Sequence, residues 1–359
     1  MLKTSRTVKT ESVERSLELW QKRYIPNLSN LSFDTTNTET NKLIKAASSE
    51  GRALTANKLK DHMIDINCHM AWIQTKTLYA YIPNILDLNE ARRITQFAYR
   101  VYRKLIEVYQ ENSVNFDTFN KKSDILSWVT PNIENLAYAL EPTLLLFQEQ
   151  HMVSKDWRAL GFLTTQLNFG NKLILRKLGL EEQILLSPYL KFIEEQVAMP
   201  WQRVCAVAGK YNLDSPQFQI VEHMFCQAEE IAEVVFKQLR ELLPQHRSRR
   251  GKLTDAGITH SCLRDLNMFQ AYLWLCFLKQ SIEPIELELL PLCEMVAQGV
   301  EIKWEMTEKW CRVLGNEMLN RLTSEEKKLV MPFTEGMYRA FFEQRHRFGF
   351  SEEVSGTVD

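Results

Sequence analysis

The chain has 359 residues, 45% hydrophobic and 25% charged, values close to those of ordinary globular proteins, which excludes wholesale disorder. It holds only 12 Gly and 11 Pro, about half their usual combined share of roughly 12%, which argues against a turn-rich β-sandwich or barrel and against a Gly-rich phosphate-binding enzyme. Forty-four basic against 45 acidic residues leave a net charge of −1, so no single-sign field covers the whole molecule.

Residues 1–40 read as a poorly ordered arm with one short helix. Glu11 to Tyr24 carries an amphipathic pattern (Val13, Leu17, Trp20) that ends before Pro26. Residues 27–41 are crowded with Asn, Ser and Thr, whose side chains compete with the helical backbone. Such an arm either folds back onto the body through Trp20 or stays flexible. A first helical region, 41–153, follows. Leu59, Met63, Ile66, Met70, Ile73, Thr77 and Tyr81 recur at steps of three and four, which predicts one apolar stripe facing the core before Pro83. The next helix has Ile94, Phe97, Ala98, Val101, Leu105 and Val108 on its apolar face. After a polar break at 112–123 come two predicted helical pieces separated by Pro142.

A second helical region, 154–348, opens with a helix from Ser154 to Leu178, with Gly179 as its predicted stop. Ser215 and Pro216 form an N-cap and first-turn pair for a helix through Ile220, Met224, Ile231, Val235 and Leu239. Residues 245–252 (QHRSRRGK) read as an exposed basic loop. Long helices are expected near 259–281, 291–320 and 323–346, the last opened by a Thr323/Glu326 capping box, and 349–359 reads as a disordered tail. No stretch alternates with period two for long. The fold class is all-α, a multi-helix bundle of ten to twelve helices with no significant sheet.

The seven cysteines (Cys68, Cys205, Cys226, Cys262, Cys276, Cys293, Cys311) are odd in number and form no CxxC pair, which fits reduced, mostly buried thiols in a cytosolic protein. The N-terminus lacks the apolar run of a secretory signal, and the most apolar stretch, Leu266 to Leu278, is too short to cross roughly 30 Å of hydrocarbon. A cytoplasmic location without a transmembrane segment is the expectation.

Three constellations bear on chemistry. Asp61, His62, Asp65 and His69 share one helix, and the Asp61/Asp65 spacing is one by which isoprenoid-joining enzymes hold magnesium and a diphosphate. A diphosphate synthase needs a second carboxylate-rich motif, and there is none, so these residues read as a solvated polar face. Glu343 with His346 is a single ExxH pair, and a helical di-iron site needs two, even with Glu222, His223, Glu229 and Glu233 as further donors. Cys226 lies three residues from His223 on an acidic helix, a setting that does not activate a thiolate. No metal and no cofactor are expected.

Charge distribution says more. Arg92, Arg93, Gln96, Tyr99, Arg100, Arg103 and Lys104 lie on one helix with no acid between residues 91 and 106, and at 100° per residue Arg92, Gln96, Arg100 and Arg103 form a ladder opposite the apolar face. Arginine beside an aromatic ring suits an acidic protein surface, phosphate or a nucleic-acid backbone. Glu90 and Glu107 bracket the run, so local pairing is the competing reading. The opposite pole, Glu283 to Glu308, holds seven Glu against Lys303 alone, with Trp304 and Trp310 among them. The expectation is a non-enzymatic helical interaction or regulatory protein that binds a protein partner through charged and aromatic helix faces. The alternatives are a nucleic-acid-binding regulator using Arg92 to Lys104, and an all-α metal- or diphosphate-dependent enzyme centred on Asp61 to His69. Oligomeric state is not legible.

Overall fold

A computed structural model of the chain describes residues 10–26, 28, 38–79, 88–112, 129–153, 157–248, 251–300 and 304–347. Among the described residues are fifteen α-helices, one π-helical turn and one two-stranded ladder, so the all-α class stands and the helix number exceeds ten to twelve. Part of the surplus arises at residues 216–242, where one continuous apolar pattern is served by two helices with a tight turn between them. The chain forms two compact units, spanning 1–210 and 211–359.

In the first unit, α1 (Glu11–Lys22) starts at Thr10, whose hydroxyl accepts from the Val13 amide at 3.4 Å. It is anchored rather than free. Trp20 is buried against Phe192, with ring centroids 5.5 Å apart. Arg23 Nε lies 2.7 Å from Glu195 Oε2, and the Tyr24 hydroxyl donates to the same oxygen at 3.0 Å. Burial, reinforced by the Glu195 charge, pushes the Tyr24 phenol up. Positions 1–9, 27 and 29–37 of the expected arm lie outside the described residues. Next come α2 (Thr38–Ala47) and α3 (Ser49–Lys58), which meet so closely that a Cβ on Gly51 would stand 2.1 Å from the Lys45 carbonyl oxygen.

The body consists of α4 (Asp61–Leu78), α5 (Leu88–Glu111), α6 (Ile133–Val153), α7 (Trp157–Leu175), α8 (Leu180–Ala198) and α9 (Trp201–Ala208). Two local expectations are corrected. Pro142 does not divide two helices: α6 runs through it, and the proline sits on the exposed side. Gly179 does not stop α7 in a left-handed turn. At φ −71°, ψ 168° it is the extended N-cap of α8, and its amide donates to Glu182 Oε2 at 2.8 Å. Positions 154–156, where α7 was expected to begin, are outside the described residues.

In the second unit, α10 (Pro216–Phe225) is capped by Ser215, which accepts from the Phe218 amide at 3.3 Å. A turn at Cys226–Gln227 separates it from α11 (Ala228–Leu242). The expected basic loop is a minimal hairpin, β1 (Arg247–Ser248) against β2 (Gly251–Lys252), with Gly251 at φ +130°, a backbone region L side chains rarely adopt. The apolar stretch 266–278 belongs to α12 (Ala256–Lys279) and is buried at every position, the pattern of a central helix. A π-helical turn (Ile285–Leu289), α13 (Leu290–Val300), α14 (Trp304–Asn320) and α15 (Ser324–Arg347) complete the unit. The α15 capping box forms as expected: the Thr323 amide donates to Glu326 Oε2 at 2.8 Å and the Glu326 amide to Thr323 Oγ1 at 3.4 Å. The tail at 349–359 lies outside the described residues.

Candidate functional site

The expected site residues sit where a polar seam inside the first unit places them. α7 presents buried Thr164, Thr165, Gln166, Asn168 and Asn171. Gln166 Nε2 donates to the Cys68 carbonyl of α4 at 3.4 Å and to Thr95 Oγ1 of α5 at 3.3 Å. The Tyr102 hydroxyl of α5 has its one proton between two acceptors, the Leu167 carbonyl oxygen at 2.9 Å and Asn171 Oδ1 at 2.8 Å. Burial pushes Tyr102 up, and raises Cys68 to about 12, so this thiol stays protonated. Gln166 ties Cys68 to Thr95 while Asp61 meets Arg103, so numbers rise along α4 as they fall along α5. The two helices are antiparallel neighbours.

α5 displays the ladder outward. Arg92, Arg93, Gln96, Arg100, Arg103 and Lys104 are exposed and Tyr99 is half-buried. Local acids neutralise part of it. Arg93 Nη2 donates to Glu90 Oε1 at 2.9 Å, Lys104 Nζ to Glu107 Oε2 at 3.0 Å, and Arg103 Nε lies 3.2 Å from Asp61 Oδ1. The hydrogen bond to Glu107 holds the Lys104 ammonium above its ordinary value. The Arg103 guanidinium also lies 5.8 Å from the Tyr99 ring centroid. Arg100 Nε donates at 3.4 Å to the Gln96 carbonyl. Among the described residues, Arg92 and Arg100 make no ion pair. A cavity of about 200 Å³ opens at the Arg103 end, lined by Asn57, Lys60, Asp61, Arg103, Glu107 and Gln110 among others.

α4 overturns the predicted stripe. Ile66, Met70 and Ile73 are 50%, 44% and 50% exposed, Thr77 is exposed, and Met63 is half-buried; Tyr81 lies outside the described residues. The buried face is Ile64, Asn67, Cys68, Ala71 and Thr75, whose small side chains let α7 approach closely. At 100° per residue, the direction opposite Asp61, Asp65, His69 and Lys76 falls between Met63 and Asn67, midway between the exposed stripe and the buried face, so the charges do not choose between the two.

The other candidates are not assembled into sites. Asp61 is engaged by Arg103, and exposed His69 Nδ1 lies 3.4 Å from Asp65 Oδ1. Among the described residues no cluster of three or more His, Cys, Asp or Glu is arranged to hold a metal ion. Glu343 is exposed and the His346 side chain lies outside the described set. His223 faces Gln227 on the surface, its Nε2 being 2.9 Å from the amide nitrogen. All seven cysteines are free thiols, with Cys226 exposed and Cys293 partly so. Trp304 and Trp310 are core residues, not exposed anchors: Trp304 donates from Nε1 to the Phe341 carbonyl at 2.7 Å, and Trp310 lies against Phe269. Of the acidic pole, Glu308 accepts from Tyr338 and Arg345, both at 3.0 Å, while Glu283 and Glu286 are exposed. Glu301 and Lys303 lie outside the described residues. Among the described residues no helix is long and apolar enough to cross a membrane. No family model, curated protein or solved structure matches this chain.

Proposed function

We propose that the chain is a non-enzymatic helical interaction protein that binds a protein partner through the α4–α5 face of its first unit. The observation that carries this reading is the exposure of Arg92 and Arg100 on α5, without an ion pair among the described residues, together with the exposure of Ile66, Met70 and Ile73 on the neighbouring α4. Three large apolar side chains at helical spacing on one solvent-facing stripe are unusual on a surface with no partner. Arginine and methionine are both enriched at protein interfaces. Seven free thiols support a reducing, cytoplasmic setting.

The test is retention of protein from the native source by the tagged full chain. It is compared with the quadruple reversal Arg92→Glu, Arg93→Glu, Arg100→Glu, Arg103→Glu and with a control reversal at exposed Lys172 and Lys177. Retention lost in the first variant and kept in the second, with unchanged circular dichroism, supports the reading. Material whose retention disappears with nuclease transfers the face to nucleic acid, and retention unaffected by the reversal removes the α4–α5 face from function.

A further inference from the structure

We infer that the cavity at the Arg103 end of α5 binds a small zwitterion, a free α-amino acid with an aliphatic side chain. This stands apart from the partner-binding reading and does not rest on it. The cavity lies where α3 ends, α4 begins and α5 nears its end, and its volume is about 200 Å³. A cavity of roughly 150 Å³ is enough to hold benzene, so this one has room for a medium-sized amino acid. Its lining divides in two. Leu59 and Ile64 are 2% exposed and Ile106 is 8% exposed, which makes an aliphatic floor. Lys60, Asp61, Arg103 and Glu107 are exposed and form a charged rim.

The rim carries both signs of charge, and its members keep groups open to a ligand. Among the described residues Lys60 makes no ion pair. Arg103 meets Asp61 Oδ1 through Nε at 3.2 Å, and among the described residues its Nη1 and Nη2 donate no hydrogen bond. Glu107 accepts from Lys104 at Oε2, at 3.0 Å, and its Oε1 has no hydrogen bond among the described residues. Opposite charges therefore stand side by side at the mouth, and a ligand that satisfies both must carry its own two charges on neighbouring atoms. The α-carbon of an amino acid does this. Lys60 and Arg103 take its carboxylate, Asp61 and Glu107 its ammonium, and its side chain covers Leu59, Ile64 and Ile106. The Asn57 and Gln110 amides, also on the lining, add neutral donors and acceptors.

The same lining disfavours other classes of ligand. A phosphate group finds two carboxylates beside the two cations, and each repels it. Drug-sized ligands occupy cavities of about 300–1,000 Å³, so a nucleotide is too large. Among the described residues no group of three or more His, Cys, Asp or Glu is placed to hold a metal ion. A wholly apolar molecule would take water from the charged rim and return no hydrogen bond to it.

Isothermal titration calorimetry of the full chain with L-leucine is the test. Saturable binding with a Kd of about 1 mM or tighter is expected, the range of a small ligand held by few contacts. L-Leucinamide lacks the carboxylate, 4-methylpentanoate the ammonium and glycine the aliphatic side chain, and each should bind at least about tenfold more weakly. Lys60→Gln and Arg103→Gln should each weaken L-leucine binding by about tenfold, with circular dichroism unchanged because both side chains are exposed. Ala56→Phe places a ring in the cavity and should abolish binding, whereas Lys172→Gln, exposed on α7, should leave it unchanged. If Ala56→Phe alters the circular dichroism, the two glutamine variants decide. Three results overturn the inference: no saturable heat up to about 10 mM L-leucine, ten times the expected limit; any of the three analogues, or inorganic phosphate, binding as tightly as L-leucine; or L-leucine binding that persists undiminished in the folded cavity variants.

Discussion

Ile64 and Ile73 provide an internally controlled measurement of which face of α4 is core. Both are isoleucines in the same helix, so changing each to alanine alters helix propensity by the same amount and the difference isolates burial. Ile64 is 2% exposed and Ile73 50% exposed. A buried Ile→Ala change costs about 2–5 kcal/mol, combining lost transfer energy with the cavity left behind. Half of Ile73 is already in water, so at most about half of the roughly 1.5–3 kcal/mol for full burial is at stake, near 1 kcal/mol, and no closed cavity forms. Ile64→Ala should therefore be the more destabilising by about 2 kcal/mol. Urea unfolding followed by far-UV circular dichroism gives both values from the midpoints if the slopes agree. Hydrogen exchange of the α4, α5 and α7 amides assigns the transition to the first unit. Equal costs, or a larger cost at Ile73, would show that the Ile66–Met70–Ile73 stripe is core, and would remove the surface on which the proposed function stands.

Glu195→Ala should cost about 3–5 kcal/mol, because it strands the Arg23 guanidinium in a site where the two side chains are 3% and 4% exposed. The double change Arg23→Met/Glu195→Leu should recover most of that loss, and a cost below about 1 kcal/mol for the single change would mean α1 is not anchored there. Glu326→Ala should cost about 1 kcal/mol near neutral pH by removing the capping box. Backbone and side-chain hydrogen bonds from Thr323 hold the Glu326 carboxyl below the usual carboxylate range. Its contribution is thus complete above the unfolded value, about 4.3, and is lost as pH falls through the lowered folded value. The stability gap between wild type and Glu326→Ala should close on acidification, and a gap that widened would contradict the sign.

Much of the architecture was written in local chemistry. The Ser215 and Thr323 caps, the scarcity of Gly and Pro, and the outward ladder on α5 follow from interactions within a few residues along the chain. The α5 ladder was legible because its apolar face, Ile94 to Val108, leaves one direction for the cations. α4 was not legible in the same way. It carries two stripes at helical spacing, and the choice between them was made by α7, whose Gln166 reaches the Cys68 carbonyl 98 residues away. A backbone carbonyl near a buried amide side chain demands close helix approach, which Ala71, Cys68 and Thr75 permit and Ile66 and Ile73 do not. The anchoring of α1 is likewise non-local, resting on Arg23 and Glu195 172 residues apart. Periodicity identifies helices because it reports local geometry. It cannot say which of two apolar stripes is core, because that depends on the side-chain volumes and polar groups of a helix distant in sequence.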